Sequence, residues 1–471
     1  MKNNINTILK RAGILSLAVS SLIFTSCEDE LNVLPEDSPV TELVFSNGTL
    51  ALGALEGMYS AAQQDDVLNG TLQLSGEWQS DNVDFEGTFP TFNEIRQYTI
   101  LSTNTSINGM WDDNYETIAS ANLVIDNVPL VDDASFTPAQ RTQAIAEARF
   151  MRALVYLNIS AYFGQPLQVA DGRNNLSVPL VTSSEIGLEV NRATLGEVHD
   201  FIESELLAII PDLGAPTTRI KANSGAAKAL LARLYLYQER FADAAQMADE
   251  VISDGFYALA TDYTFYNQRG STEHIFTLAN NADDGQDSGE GFSGLTNPNP
   301  LGRGDAPFSD DLLAAYAAEP GDLRFTTLNQ TGNDAQGNVR TFTSKFPDGN
   351  NDADDAPVIR ITEMYLTRAE GNFRAGSTVG AAPLADINTL RTRAGLPNLT
   401  AVDLDIILNE RRKELAFEGQ RRMDLMRNGM DLRRPGQPDA NLSAPGMDRT
   451  IFPIPQAVRD LSPFLAQNPG Y

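Results

Sequence analysis

Between positions 144 and 163, Ala148, Met151, Val155, Ile159 and Tyr162 recur three or four residues apart, and Gly164 and Pro166 follow as stop signals. That spacing places one apolar stripe along a helix, to be buried against a neighbour. The same period returns after Thr194, an N-cap residue, through Val198, Phe201, Ile202, Leu206 and Ile209 to a break expected at Pro211. The run 226–255 reads as two helices joined by a tight turn near 238–240. Within it Leu231, Ala232, Tyr235, Phe241, Ala244 and Ala248 alternate small and large as in a tetratricopeptide-like pair, where alanines let helices approach closely. A comparable pair is expected at 363–370 and 382–390. Such units cannot bury their apolar faces alone and must stack, so the expected fold is an all-α scaffold of helix pairs forming one body.

Two stretches, 68–108 and 280–354, lack this period and are rich in Gly, Asn, Asp, Ser and Thr. Structureless segments of that length in a compact protein usually carry function. The first holds Trp78, Phe85, Phe89, Phe92 and Tyr98, more aromatics than disordered linkers contain, and is expected to be folded. Sugar recognition needs flat aromatic faces flanked by planar polar groups. Trp78, Asp81, Asn82, Phe92 and Arg96 supply both and form the candidate ligand-binding set, with 280–303 as the opposing wall. The alternative is that the aromatics plug the loop onto the helical body.

Lys2, Lys10 and Arg11 precede an apolar run at 14–24 that is too short for a permanent membrane span, followed by Thr25, Ser26 and Cys27. This order predicts a lipoprotein signal peptide over 1–26 and lipid attachment at Cys27. Cys27 is the only cysteine in 471 residues, which excludes a disulfide within the chain. Glu28, Asp29 and Glu30 open an acidic linker over 27–45, leaving 46–471 as a single body with halves at about 46–260 and 261–471. The formal charge is −29, and loss of three cations with the leader makes it more negative. Such a surface repels nucleic acid, and disfavours strongly anionic glycans unless a local basic patch intervenes.

Catalytic signatures are missing. His199 and His274 lack HExxH, CxxC or paired-histidine spacing and read as structural residues, and no phosphate-binding glycine loop follows a strand-like run. Among 63 acidic residues, carboxylate pairs identify no glycosidase. Asp348, Asn350, Asp352 and Asp354 place oxygens at alternate positions as calcium loops do, but Ala353 stands at the turn glycine and Ile359 at the bidentate glutamate. A solvated loop is expected there, with neither metal nor cofactor.

The motifs EARFMRALVYLNISAYFG, NRATLGEVHDFIESELLAIIPDL, PVIRITEMYLTRAEGNF, INTLRTRAGLP, ILNERRKELAFEGQRRMDLMRNG and the closing IFPIPQAVRDL with QNPGY occur in the order seen in the SusD/RagB family, which the chain resembles along its mature length. Gln165, and Arg422 with Met423, depart from the usual residues. Within the fifth motif, Glu414 and Glu418 are expected to pair with arginines a turn away while Leu415 faces inward. The resemblance implies four tetratricopeptide-like helix pairs in a right-handed superhelix, with the irregular stretches folded over one side as a ligand platform. It also implies a non-catalytic, surface-exposed outer-membrane lipoprotein that binds oligo- or polysaccharide and delivers it to a SusC-like TonB-dependent transporter. The RagB side of the family leaves peptide capture as the alternative.

Overall fold

The computed structural model describes residues 41–471 apart from 170, 282–288 and 352. The leader, Cys27 and most of the acidic linker lie outside the described residues. Eight helices form four pairs that stack in sequence. They are α1 (Gly48–Ala62) with α4 (Thr105–Asn127), α5 (Pro138–Phe163) with α6 (Leu195–Leu213), α7 (Ser224–Tyr237) with α8 (Phe241–Ser253), and α10 (Ile361–Ala375) with α11 (Pro383–Arg393). Contacts of α4 with α5, α6 with α7 and α8 with α10 join the pairs into one tetratricopeptide-like array. Its main apolar core runs from Ala51 to Ile454, so both halves of the chain share it.

Small residues set the closest helix approaches. Ala226, Ala229 and Ala232 of α7 and Ala244 and Ala248 of α8 are fully buried. A Cβ on Gly371 of α10 would lie 2.6 Å from the Phe241 carbonyl oxygen and 3.0 Å from Ala245 Cβ of α8, so no larger residue fits that crossing. Thr194 caps α6 as expected, its hydroxyl accepting from Glu197 N at 3.2 Å while the Glu197 carboxylate accepts from Thr194 N at 2.8 Å. The helix continues past the break expected at Pro211, to Leu213. Proline there removes a bond to the carbonyl of Leu207, a residue on the exposed side of the helix.

The irregular stretches are more ordered than their composition suggests. The first contains α2 (Thr71–Gln79) and α3 (Pro90–Arg96), and the second contains α9 (Asp310–Ala317). Six short strands add three two-stranded antiparallel sheets: β1 (Leu176–Pro179) with β2 (Arg192–Thr194), β3 (His274–Leu278) with β6 (Ala356–Arg360), and β4 (Asn329–Asn333) with β5 (Val339–Thr343). The β3–β6 pairing ties off the ends of the second stretch, and β4–β5 is a hairpin within it.

Helix α12 (Leu404–Leu415) corrects the expectation of local ion pairs. Glu410 binds Arg324 at 2.6 Å and Arg391 at 2.5 Å, and Glu414 binds Arg393 at 2.5 Å and Arg360 at 3.2 Å. Glu418, just beyond the helix, binds Arg360 at 2.8 Å and Lys345 at 2.6 Å. Burial opposes ionisation of Glu418, but Arg360 and Lys345 hold its pKa down at about 2. These partners come from other elements because α12 is buried on most faces, and a buried carboxylate needs cations wherever the fold delivers them. Leu415 faces inward as expected.

Candidate functional site

Helix α2 ends at Gln79, and its last turn is enclosed on all sides. Trp78 is fully buried, with its ring 5.0 Å from Phe85 and 4.9 Å from Phe92 between centroids. Its carbonyl oxygen accepts from Arg433 Nη2. Glu77 accepts from Gly419 N at 3.0 Å, and burial raises its pKa to about 7. Gln79 Oε1 accepts from Arg422 Nε at 2.8 Å, and Asn82 Oδ1 from Arg412 Nε at 2.7 Å. Asp81, fully buried, takes Arg421 at 2.7 and 2.8 Å and Arg434 at 2.5 Å, with Arg412 at 3.5 Å. Residues 77–82 are therefore a seam onto which the C-terminal arginines fasten.

Trp78, Asp81, Asn82 and Phe92 are consequently not a ligand surface, since four side chains of 0–1 % exposure present no face to solvent. They plug the loop onto the body. The signal for this was present in the sequence: an aspartate among aromatics needs cations, and Arg421, Arg422, Arg427, Arg433 and Arg434 stand within one short segment. Arg422, one of the residues departing from the family pattern, also donates to the carbonyls of Ala161 and Thr450 and so joins three parts of the chain.

Arg96 is the candidate residue that reaches a cavity. It lines a cleft of about 560 Å³ with Asp84, Phe85, Glu86, Asp310, Asp311, Ala314 and the 434–438 turn. That volume suits a small oligomeric ligand. Phe85 lies at the apolar floor, and Pro435 and Pro438 flank Gly436, whose φ of 94° makes the turn. The rim is a mosaic of paired planar groups. Arg340 binds Asp84 at 2.6 Å and Glu86 at 2.5 Å, Arg412 binds Asp311 at 2.6 Å, and Arg96 sits 3.5 Å from Asp439. Asp310 is exposed at the start of α9. Such groups accept from and donate to hydroxyls in fixed planes. The exposed aromatic of this loop is Phe89, stacked on Phe92 at 5.6 Å and covered by the Arg303 guanidinium at 4.1 Å.

Of the expected wall at 280–303, residues 282–288 lie outside the described set. The described residues that line the cleft with Asp84 and Glu86 include the start of α9 and the 434–438 turn. Asp354 accepts from Ser293 Oγ at 2.8 Å and from Asp348 N at 2.7 Å, while Asp348 holds Asn351, so these carboxylates satisfy local donors. Asp352 lies outside the described residues. His199 and His274 are buried, and burial lowers each pKa to about 4, keeping both rings neutral near pH 7.

Residues 44–236 match the family described as "Starch-binding associating with outer membrane", and residues 329–471 match the SusD family. A SusD-like protein of Bacteroides ovatus is 24% identical, covering 87% of this chain and 81% of that protein. A SusD superfamily crystal structure from Bacteroides thetaiotaomicron VPI-5482 superposes with a TM-score of 0.82 at 25% identity, covering 89% of this chain and 99% of that one. A laminarin-binding SusD-like protein superposes with a TM-score of 0.74 at 24% identity, covering 90% and 100% of the two chains. With stacked helix pairs, family matches in the N-terminal and C-terminal parts and near-complete superposition in agreement, this chain is SusD-like.

Proposed function

We propose that this protein captures a glycan in the cleft bounded by Asp84, Glu86, Arg96, Asp310 and the 434–438 turn, and delivers it to a SusC-like TonB-dependent transporter. It works without covalent chemistry, from the outer-membrane surface, anchored through lipid on Cys27. The observation that carries the reading is the cleft: about 560 Å³, an apolar floor at Phe85 and a rim of paired carboxylates and guanidinium groups. The family description and the laminarin-binding relative support carbohydrate as the ligand class. The test is affinity electrophoresis of the protein freed of residues 1–27 in gels containing neutral, uronic and sulfated polysaccharides. Retardation by one class is expected. Equal mobility in every gel, together with binding of an extended peptide library, overturns the glycan reading in favour of peptide capture. Mass spectrometry of the natural N-terminus tests the anchor, with acylated Cys27 as the expected first residue.

A further inference from the structure

Next to the cleft, and sharing Arg434 with it, lies a second cavity of about 290 Å³ lined by Asp405, Leu408, Asn409, Arg412, Arg421, Asp424, Met430 and Arg434. Three guanidinium groups converge here on a single carboxylate, Asp81, which is buried beneath them. Arg421 spends Nε and Nη2 on Asp81, Arg412 spends Nε and Nη2 on Asn82, Asp81 and Asp311, and Arg434 spends Nε on Asp81. Among the described residues, the remaining Nη1 groups of all three, and Nη2 of Arg434, donate to no acceptor. Of the two acids lining the cavity, Asp424 is neutralised by Arg411 at 2.8 Å and Arg427 at 2.8 Å, and Asp405 is exposed at the lip. Asp81, Asp311 and the exposed Asp405 together equal the three cations in number. The cavity is thus balanced in formal charge, and what it offers an anion is its unspent guanidinium donors, with the carboxylate of Asp405 opposing entry at the lip.

Resting on the glycan reading of the adjoining cleft, we propose that this arginine cavity is a subsite for an oxyanion carried by the ligand, the carboxylate of a uronic acid or a sulfate ester. A sugar ring in the larger cleft then projects its anionic substituent past Arg434 into the smaller one. The open Nη1–Nη2 edge of Arg434 matches a planar carboxylate or a sulfate face, the Nη1 groups of Arg412 and Arg421 add single donors, and burial of these two strengthens the attraction by excluding water. In a protein of formal charge −29, the cluster is the place where an acidic glycan meets open guanidinium donors. Overall charge alone argues against one.

The test is isothermal titration of the full chain with oligogalacturonate, sulfated carrageenan oligosaccharides and neutral laminarin oligosaccharides, and with sodium sulfate alone. The probes run on wild type, Arg434→Gln and Asp405→Asn. One acidic glycan is expected to bind more tightly than laminarin, to weaken as NaCl is raised, to lose about tenfold in Arg434→Gln and to gain in Asp405→Asn. The acidic arm that responds identifies carboxylate or sulfate as the source. Laminarin bound equally by wild type and Arg434→Gln, with no preference for either acidic glycan, overturns the subsite and leaves glycan capture standing. Sulfate bound by wild type and lost in Arg434→Gln, with no glycan bound, supports the anion cavity and overturns glycan capture.

Discussion

Residues 77–82 and 84–89 are adjacent in sequence and alike in composition, each mixing carboxylates with aromatic rings. The first segment is sealed in the interior, where its Asp81 meets Arg412, Arg421 and Arg434 and its tryptophan is wedged between Phe85 and Phe92. The second runs along the surface, its Asp84 and Glu86 at the rim of a cleft and its Phe89 exposed to solvent. Neither charge nor aromatic content separates them. What does is the chain packed on top: five C-terminal arginines arrive over the first segment, while the second keeps one side open.

Mutations at matched positions sharpen this contrast. Asp81→Asn leaves three guanidinium groups around an uncharged amide, and a loss of about 3–5 kcal/mol in urea unfolding is expected. Asp84→Asn at the rim is expected to cost no more than about 1 kcal/mol. Equal losses at the two positions would erase the distinction between seam and rim. Trp78→Ala removes a fully buried ring and is expected to cost about 3–5 kcal/mol, with ligand affinity of the folded fraction unchanged. An affinity loss without a stability loss would return Trp78 to the ligand surface.

Glu77 gives the seam a pH signature. Its folded pKa of about 7 lies above the ordinary value of 4.5, so its protonated form is favoured by folding. The resulting stability is fully present below about pH 4.5 and is lost as pH rises through 7, where ionising a buried carboxyl costs roughly 3 kcal/mol. Glu77→Gln is therefore expected to be more stable than wild type at pH 8 and no more stable at pH 4, read from thermal midpoints across that range. Glu418 works in the opposite direction: the stability from its lowered pKa is present above about pH 4.5 and is lost as pH falls toward 2. The smallest effect on folding belongs to the cleft. Asp310→Asn is expected to leave stability within about 0.5 kcal/mol. It is expected to weaken ligand binding about tenfold, roughly 1.4 kcal/mol.

The helical array was legible because its signal is local. Thr194 caps where a threonine followed three residues later by glutamate predicts a cap, and the alanines of 226–248 report the close approach of α7 and α8. The candidate cleft was harder to read for the opposite reason. Asp81 and Trp78 carry the residue types of a sugar site, but their exposure depends on arginines more than 300 positions away. Arg96 reached the cleft because it sits at the end of α3, beyond the covered seam. The short strands escaped notice because runs of three to five residues show too little alternation to stand out.

The seam also fixes an order of events for the chain. Asp81 binds Arg421 across 340 residues, Trp78 meets Arg433 across 355, and Asn468 donates to the carbonyl of Phe163 across 305. Contacts of such span form late, because the intervening loop must first be closed. Until its last fifty or so residues emerge, a growing chain holds Asp81 without Arg421 and Arg434 and cannot close its own interior. A polypeptide built this way commits to its native state only when its C-terminal arginines are in place.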